Sequence, residues 1–205
     1  MTRSMTKAIV PAAGLGTRLL PATKSQPKEM LPVGRKPAIQ YVVEELQSAG
    51  LAQVLIITGR RKRAIEDHFD PDPFLLSSFE QAGNETLLAE LSYAQSKSSF
   101  FYTSQSSPRG LGDAVSLGAE FVDNEDCVVA LGDSLIAGDE PAAPLRDMMQ
   151  SNYDSYFITI VAVEQVPADE THRYGIVSAR AYNFPTGEPT PVGDIIEKPP
   201  RGTAP

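Results

Sequence analysis

Residues 7–18 read KAIVPAAGLGTR, an apolar run that passes directly into a glycine-rich turn. The run is short and apolar, which predicts a buried β-strand over Lys7–Ala13. The turn from Gly14 to Arg18 contains small residues that let backbone N–H groups approach a ligand. Residues 19–21 are Leu-Leu-Pro, so the third glycine of a dinucleotide-binding fingerprint and the closing Gly-Lys-Ser/Thr of a Walker A loop are both missing. Many α/β domains contain such a turn for purely steric reasons, so the glycines alone do not identify a ligand site.

Segments typical of strands and helices alternate through the rest of the chain. The spacing of apolar residues predicts a helix over Pro37–Ala49, ended by Gly50, and Gln53–Thr58 is a second apolar strand. A strand, a helix and a strand in this order form a βαβ unit with parallel strands. Further predicted helices are Ala64–Phe69, Glu85–Gln95, Gly112–Phe121 and Pro144–Gln150, and further predicted strands are Phe100–Thr103, Cys127–Leu131, Phe157–Val163, Gly175–Ala179 and Val192–Glu197. We therefore expect a single domain over residues 1–205, a three-layer α/β/α sandwich with a mostly parallel central sheet and a ligand site at the carboxyl ends of its strands.

The composition is that of an ordinary globular protein, with 205 residues of which 41% are hydrophobic and 21% charged. No apolar stretch approaches the ~20 residues that span a bilayer, and the first residues do not resemble a secretory signal, so we expect no membrane role. The net charge of −8 argues against a nucleic-acid binder, which usually has a basic surplus. Cys127 is the only cysteine, which excludes an internal disulfide and a cysteine-built zinc site, and we expect a cytoplasmic protein.

The segment from residue 14 to residue 36 differs from the rest of the chain in its charge. Prolines at positions 21, 27 and 32 interrupt regular structure, which predicts one long ordered loop. An island of cations on an acidic protein suits a small, highly charged anion, while charge alone leaves open a solvated lysine-rich loop. The basic residues of the loop are Arg18, Lys24, Lys28, Arg35 and Lys36, and its one acidic residue is Glu29.

Asp133 follows the predicted strand Cys127–Leu131 and should therefore lie at the edge of the sheet where ligands bind. A carboxylate there suits Mg²⁺, which takes few protein ligands and completes its shell with phosphate oxygens and water. In isolation, a Gly-Asp pair after a strand is more often a turn. Asp133 is the strongest metal-ligand candidate in the sequence.

A second basic run, RRKR at residues 60–63, has the composition of a nucleic-acid patch. Its spacing points elsewhere, because Lys62 with Glu66 and Arg63 with Asp67 are four residues apart, as are ion pairs on one face of a helix. We therefore predict that this run is the solvated start of a helix.

Six separated motifs share their order with one enzyme family. They are AAGLGTRLLPATKSQPKEMLPV at Ala12–Val33 followed by Lys36-Pro37, IEDHFD at Ile65–Asp70, QSSPRGLGDAV at Gln105–Val115, LGD at Leu131–Asp133, YGIV at Tyr174–Val177, and Glu197-Lys198-Pro199. With these motifs the chain strongly resembles the bacterial UTP–glucose-1-phosphate uridylyltransferases, a branch of the sugar nucleotidyltransferases. The resemblance extends over essentially the whole chain.

The resemblance implies a nucleotide-diphospho-sugar transferase fold and a Mg²⁺-assisted attack of glucose 1-phosphate on the α-phosphorus of UTP, which gives UDP-glucose and pyrophosphate. It implies that Arg18 and Lys28 hold phosphates and that Glu29 faces the uracil edge. The amide of Gln105 can pair with a uracil carbonyl and N3–H, although it could also be a surface glutamine beside a helix cap. The implied set is Arg18, Lys28 and Lys198 for catalysis; Ala12, Ala13, Gly14, Gly16, Glu29, Gln105 and Gly110 for the nucleotide; Gly112, Asp133, Tyr174, Gly175, Glu197 and Lys198 for the sugar phosphate; and Asp133 for the metal.

The sequence departs from the family at its end. The chain stops at Gly202–Pro205, where the resemblance implies an Ala-Pro-Ser-Asn-like stretch, so we expect the amino-terminal two-thirds of a family member, with a homo-oligomer in the full-length form. Two alternatives remain open. One is a thymidylyltransferase or other sugar nucleotidyltransferase, and the other is a non-catalytic nucleotide-binding paralogue that keeps the first half of the site.

Overall fold

The computed structural model describes residues 5–95, 98–151, 159–179 and 189–205. Its contacts divide the chain into two compact units, Met1–Leu145 and Arg146–Pro205. The strands are β1 (Lys7–Pro11), β2 (Pro32–Val33), β3 (Lys36–Pro37), β4 (Gln53–Gly59), β5 (Ser99–Gln105), β6 (Cys127–Val129), β7 (Gly175–Ala179) and β8 (Val192–Glu197). The α-helices are α1 (Ala38–Ser48), α2 (Arg63–Phe69), α3 (Pro73–Gln81), α4 (Glu85–Glu90), α5 (Leu111–Ser116), α6 (Ala119–Val122) and α7 (Ala143–Gln150).

The first unit is built on a sheet of four parallel strands in the order β5-β4-β1-β6. Lys7 of β1 lies opposite Gln53 of β4 on one side and opposite Cys127 of β6 on the other. The registers are continuous, so the carboxyl ends of β1, β4 and β5 come to one edge of the sheet. The predicted parallel α/β architecture is confirmed.

The order of the strands places helices on both faces of the sheet. The chain steps from β1 to β4 to β5 in one direction, with α1 in the first connection and α2 to α4 in the second. It then crosses back to β6, with α5 and α6 in the connection. Because such crossovers are right-handed, the reversal puts α5 and α6 on the face opposite α1 and α2. The carboxyl ends of β1 and β6 therefore flank the topological switch point, which is where ligands bind in open α/β sheets.

Strand residues alternate between the two helix layers. Ile9, Leu55 and Ile57 form a buried cluster with Ala114 of α5. The alternate residues Val10 and Ile56 are fully buried and point to the other face. That face is the one covered by α1, whose buried residues include Ile39, Val42, Val43 and Leu46.

The basic segment 14–36 is an ordered loop, as predicted. It contains three short 3₁₀ helices, at Thr17–Leu19, Ala22–Lys24 and Lys28–Met30. It closes with the two-residue antiparallel pair of β2 and β3, in which Val33 lies opposite Lys36. The loop therefore leaves the sheet at the end of β1 and returns at the start of α1.

The second unit contains the antiparallel pair β7–β8, in which Gly175 lies opposite Glu197 and Val177 opposite Ile195. Both strands agree with the predictions. The strand predicted over Phe157–Val163 does not: residues 159–163 form no regular element, and Phe157 and Ile158 lie outside the described residues. Val161 and Val163 are both more than half exposed. An apolar run becomes a strand only beside a partner strand, and residues 159–163 have none within the described parts of the chain.

The first unit differs from the sequence analysis in two details, one helix that is divided and one helix that was not predicted. The helix predicted over Gly112–Phe121 is split into α5 and α6 at Gly118, where an added Cβ would lie 2.5 Å from Ile9 Cδ1. The polar, proline-containing segment after α2 forms α3, because Asp72 caps two backbone amides and Pro73 occupies the first turn, where proline is favoured. None of the helices in the described residues is long and apolar enough to cross a membrane.

His68 of α2 ties three elements of the first unit together. Its Nε2 lies 3.1 Å from Oε1 of Gln40 on α1, and its Nδ1 lies 3.2 Å from the hydroxyl of Tyr93. The rings of His68 and Tyr93 are stacked, with centroids 4.7 Å apart. Burial lowers the pKa of His68 below its ordinary 6.5, and the negative charge of Glu44 opposes this shift only in part.

The partly buried His68 predicts an acid-sensitive fold. Because the pKa of His68 is lower in the folded state, the unfolded chain binds the extra proton first, and the free energy of unfolding decreases as pH falls below about 6.5. The measurement is denaturant unfolding between pH 7.5 and pH 5, comparing the protein with His68→Gln. We expect the variant to lose less stability over this interval. Parallel pH profiles for the two proteins would contradict the assignment.

Candidate active site

The backbone beyond β1 forms the centre of the carboxyl edge of the sheet. Ala12 and Ala13 are buried directly after the strand, and the Ala12 amide donates to the Ile57 carbonyl at 2.8 Å, which extends the pairing with β4. Gly59 ends β4 so close to this segment that an added Cβ would lie 3.3 Å from the Ala13 carbonyl oxygen. The two strand ends therefore approach each other in a way that a side chain at position 59 would disturb.

The glycine turn wraps around the stem of Lys28. Gly16 adopts a left-handed conformation with φ of 65°, and an added Cβ would lie 3.1 Å from Lys28 Cβ and from Thr23 Cγ2. The Thr23 hydroxyl donates to the Gly16 carbonyl at 2.7 Å. An added Cβ at Gly14 would also meet the end of the Lys28 side chain. The glycines and Lys28, which the sequence analysis singles out, therefore pack against each other in the fold.

Lys28 reaches from this loop to Asp133, which lies four residues beyond the end of β6. Its Nζ lies 2.6 Å from Asp133 Oδ2, although the two residues are 105 positions apart in sequence. Both side chains are partly exposed, so the pair is accessible to solvent. Two residues predicted separately, one as a phosphate-binding cation and one as a metal ligand, are therefore direct neighbours across the switch point of the sheet.

Glu29 points in the other direction, into the protein. Its side chain is 1% exposed, and Oε2 accepts a hydrogen bond of 2.7 Å from Nζ of Lys62, itself 9% exposed. Its Oε1 has no hydrogen-bond partner among the described residues. An added Cβ at Gly132 would lie 3.2 Å from Glu29 Cγ, so the glycine before Asp133 makes room for this side chain.

The pairing of Lys62 corrects one prediction. Lys62 was expected to pair with Glu66 on a solvated helix, and it is instead buried against Glu29. The neighbouring pair of Arg63 with Asp67 is confirmed, with Nε and Oδ1 at 3.5 Å on the exposed surface of α2. Lys62 precedes the first residue of α2, so its side chain is not on the regular helical face that the i,i+4 spacing presumed.

Gln105 is buried at the end of β5 and held in one orientation. Its Nε2 donates to Asp113 Oδ2 at 2.7 Å and to the Gly110 carbonyl at 3.2 Å. Asp113 also receives Arg109 at 2.8 Å. Both hydrogen bonds that the structure gives Gln105 use the amide nitrogen, so Oε1 is left to accept from a donor.

An open cleft of about 170 Å³ lies beside these groups. Most of its lining comes from three segments: residues 23–27 of the loop, the turn at 59–62 after β4, and Gln105, Ser106 and Pro108 at and after the end of β5; Ala13 and Leu15 also line it. Ala13 and Gln105 are the two predicted site residues that line it; Lys28, Glu29 and Asp133 do not. The cations around the cleft are Lys24, Arg60, Arg61 and Lys62.

Three further predicted residues of the first unit are more open. Arg18 is exposed on the 3₁₀ helix Thr17–Leu19 and has no ion pair within the described part of the chain. Gly110 has φ of 107° immediately before α5, and Gly112 lies in the first turn of that helix with no atom near its vacant Cβ position. Arg18 is therefore a cation available to an anion from solution.

The predicted sugar-phosphate residues of the second unit lie together on the β7–β8 hairpin. Glu197 stands opposite Gly175, where an added Cβ would be 3.0 Å from Glu197 Oε2. The Lys198 amide donates to the Tyr174 carbonyl at 2.9 Å, and Lys198 Nζ contacts Glu197 Oε1 at 2.7 Å. Lys198 has φ of 47°, a conformation uncommon for a residue with a side chain.

The donor set at Asp133 fits a Mg²⁺ ion that arrives with phosphates. Within the described residues there is no group of three or more His, Cys, Asp or Glu side chains that could hold a metal alone. Mg²⁺ is usually bound through one or two carboxylates together with substrate phosphates and water. The partly exposed carboxylate of Asp133, with the cation of Lys28 beside it, meets that requirement.

Two residues of this region were missed by sequence reasoning. Lys62 as the counter-ion of Glu29 could have been suspected, because Glu29 is the single acid of a basic loop. Asp113 as the support of Gln105 had a weaker signal, its i,i+4 spacing from Arg109. Lys62 is distant in sequence from Glu29, and Asp113 is separated from Gln105 by a turn. Hydrophobic periodicity does not detect contacts of either kind.

Comparison with known proteins gives consistent results. The family description "Nucleotidyl transferase" matches residues 7–205. Over 203 residues the chain is 45% identical to the UTP–glucose-1-phosphate uridylyltransferase of Bacillus subtilis (strain 168), covering 99% of this chain and 68% of the relative. The chain thus spans about two-thirds of the length of that relative.

Solved structures agree with the sequence relatives. A UTP-bound UGPase from Acinetobacter baumannii superimposes with a TM-score of 0.88 at 39% identity, covering 98% of this chain and 70% of the other. A Bacillus anthracis structure described as a glucose-1-phosphate thymidylyltransferase gives 0.61 at 28% identity, covering 96% and 65%. The likeness is stronger to the uridylyl enzyme than to the thymidylyl one.

The buried pair of Glu29 and Lys62 predicts that substitutions at the neighbouring residues Lys62 and Arg63 have very different effects on the free energy of unfolding. Lys62→Met leaves a buried carboxylate without its counter-charge, which we expect to cost about 3–5 kcal/mol of unfolding free energy. The matched control Arg63→Met removes an exposed pair at 3.5 Å and should change stability by no more than about 0.5 kcal/mol. Urea unfolding of the three proteins measures both. Equal effects at the two positions would contradict the burial of Lys62.

Proposed function

This chain belongs to the nucleotidyl transferase family, and we propose that it transfers a uridylyl group from UTP to glucose 1-phosphate, releasing pyrophosphate. The observation that carries the proposal is the contact of Lys28 with Asp133, which joins a cation and a carboxylate beside the glycine turn at the switch point of the sheet. The names of its relatives, UTP–glucose-1-phosphate uridylyltransferases, support UTP and glucose 1-phosphate as the substrates.

The reaction brings two anions together, so the protein must position them and neutralise their charge. In our proposal the backbone around Ala12, Ala13, Gly14 and Gly16 lies against the nucleotide. Arg18, exposed and without an ion pair in the described residues, binds the triphosphate. Lys28 binds the phosphates next to the reacting phosphorus, and it exchanges its contact with Asp133 for them.

The metal is Mg²⁺ in our proposal, and Asp133 is the residue of this chain that would hold it. When bound, the ion supplies Lewis-acid polarisation of the α-phosphate and neutralises the charge on the leaving pyrophosphate. The contribution of the protein is to fix one carboxylate next to the phosphate path, with Lys28 at 2.6 Å from it.

The base lies in the cleft beside Gln105 in our proposal. Because Asp113 and the Gly110 carbonyl occupy the amide nitrogen of Gln105, its Oε1 is the atom that would accept the N3–H of uracil. Glu29 is also assigned to the base end of the site in our proposal, with its carboxylate held inside the protein by Lys62. A base with a protonated N3 therefore suits this arrangement better than cytosine, whose N3 is an acceptor.

The sugar phosphate is assigned to Gly112 of the first unit and, in the second unit, to Tyr174, Gly175, Glu197 and Lys198. On the β7–β8 hairpin, the vacant side-chain position of Gly175 leaves room for the Glu197 carboxylate, which can accept from sugar hydroxyls. Lys198 would bind the phosphate. We further propose that residues 1–205 form a single nucleotidyltransferase domain, that the protein acts in the cytoplasm, and that the full-length form assembles into a homo-oligomer.

The experiment that tests the function is release of pyrophosphate, assayed with each nucleoside triphosphate and each sugar 1-phosphate in turn. We expect activity with UTP and glucose 1-phosphate and a loss of several orders of magnitude in Asp133→Asn, since a metal centre stabilises the transition state by several kcal/mol. The matched control is Asp139→Asn, an exposed aspartate in the same segment, which should keep full activity. Preference for dTTP would favour the thymidylyl alternative, and no turnover with any pair would favour a non-catalytic nucleotide binder.

The role of Gln105 predicts a selective loss. Gln105→Ala removes the acceptor at the base, so UTP affinity should fall by about 1–3 kcal/mol while glucose 1-phosphate affinity is retained. Calorimetry with each ligand measures the two effects, and Gln81→Ala at the exposed end of α3 is the control. Equal losses for both ligands would mean that Gln105 only supports the loop.

A further inference from the structure

The side-chain amide of Gln105 is held in one orientation beside the cleft that we assign to the nucleotide, the nucleotide cleft. Gln105 ends β5 and lines this cleft, and little of its surface is exposed. Its Nε2 donates to Asp113 Oδ2 at 2.7 Å and to the Gly110 carbonyl at 3.2 Å. Because an amide nitrogen has two hydrogens to donate, these two bonds use it completely, and Oε1 is the atom that can serve a ligand.

Both partners of the Gln105 amide are groups that only accept hydrogen bonds. An ionised carboxylate has no hydrogen to donate, and neither has a backbone carbonyl. Turning the amide by half a turn would place Oε1 against these two acceptors and take the amide hydrogens away from them, which is costly for a buried group. The orientation of the Gln105 side chain therefore follows from the chemistry of its partners.

Asp113 is the stronger of the two partners. Its hydrogen bond to Gln105 is shorter than that of the Gly110 carbonyl, and a hydrogen bond to an ionised acceptor is roughly twice as strong as a neutral one. Arg109 Nη2 lies 2.8 Å from the other carboxylate oxygen, Oδ1, so each oxygen has a donor and the charge is offset. Asp113 does not line the cleft, so its effect on a ligand there passes through Gln105.

We propose that Asp113 is a positioning residue that sets the choice of base. By holding the amide nitrogen of Gln105, it leaves only an acceptor, Oε1, for the ring nitrogen of the base. A pyrimidine with an N3–H, such as uracil, can donate to that acceptor, whereas N3 of cytosine is itself an acceptor. The inference rests on the proposed function, which brings a pyrimidine nucleotide to the cleft.

A purely structural role for Asp113 is the competing explanation. Arg109 and Asp113 are four residues apart, and their pair ties the turn after β5 to α5. Loss of such a tie would weaken every ligand of the cleft alike. Loss of a positioning carboxylate has a different consequence, because the amide of Gln105 can turn once residue 113 can donate. Asparagine supplies that donor in nearly the same shape, and the side chain at this position is 22% exposed, so the fold should be retained.

The test compares UTP and CTP in calorimetric titrations with Mg²⁺ present. The unaltered protein should bind UTP on the order of a hundredfold more tightly than CTP. Asp113→Asn should bind CTP about tenfold more tightly than the unaltered protein does, and UTP no more tightly. The matched control is Asp67→Asn, an aspartate likewise paired with an arginine four residues away, on the exposed surface of α2, which should leave both affinities unchanged. Unchanged or weaker CTP binding in Asp113→Asn would overturn the proposal.

A double variant tests whether Asp113 acts through Gln105. In Gln105→Ala the amide is absent, so adding Asp113→Asn should leave the ratio of UTP to CTP affinity within about twofold of that in Gln105→Ala alone. A larger change in this ratio would mean that Asp113 affects the base by another route and would overturn the proposal. Equal binding of UTP and CTP by the unaltered protein would overturn the proposal alone, whereas absence of UTP binding would contradict the proposed function itself.

Discussion

The buried ion pair of Glu29 and Lys62 is the constraint on which the rest of the site depends. A loop of more than twenty residues leaves β1, and this pair ties its middle to the turn after β4. Because Glu29 is turned inward at that point, its neighbour Lys28 is turned outward, toward Asp133. The glycines of the loop then pack around the stem of Lys28 and bring their backbone to the same edge.

An apolar contact could have fixed the loop at lower cost, since two charges must be desolvated to form a buried pair. An ion pair has a property that an apolar contact lacks: it defines both the partner and the direction of approach. At this site the direction matters, because Glu29 is buried while the adjacent Lys28 is partly exposed and contacts Asp133. The ion pair with Lys62 therefore gives the charge of Glu29 a structural role, whereas the charge of Lys28 remains available to a ligand.

The parts of this fold that follow from local pattern could be predicted, and the parts that depend on distant partners could not. The strand Lys7–Pro11, the helix after Pro37 and the basic loop follow from periodicity, proline placement and charge. Asp133 could be placed because a residue that follows a parallel strand lies at a known edge. Lys62 could not, since helical spacing offered Glu66 as a nearby partner and gave no indication of Glu29, 33 residues earlier. The sequence analysis assigned no helix to the segment of α3, although Pro73 at the first turn favours one.

The position of β1 between β4 and β6 has a consequence for how the first unit opens. Strands at the edges of a sheet separate in partial unfolding events, while a strand paired on both sides and buried on both faces exchanges its amide hydrogens only when the whole unit unfolds. Residues Ala8 to Val10 have this character, with exposures of 0–1%. The glycine turn is thus attached to the segment that is released last. Partial unfolding of β5 would loosen the support around Gln105 without disturbing the backbone at Ala12 and Ala13. The two ends of the nucleotide cleft therefore differ in how often they open.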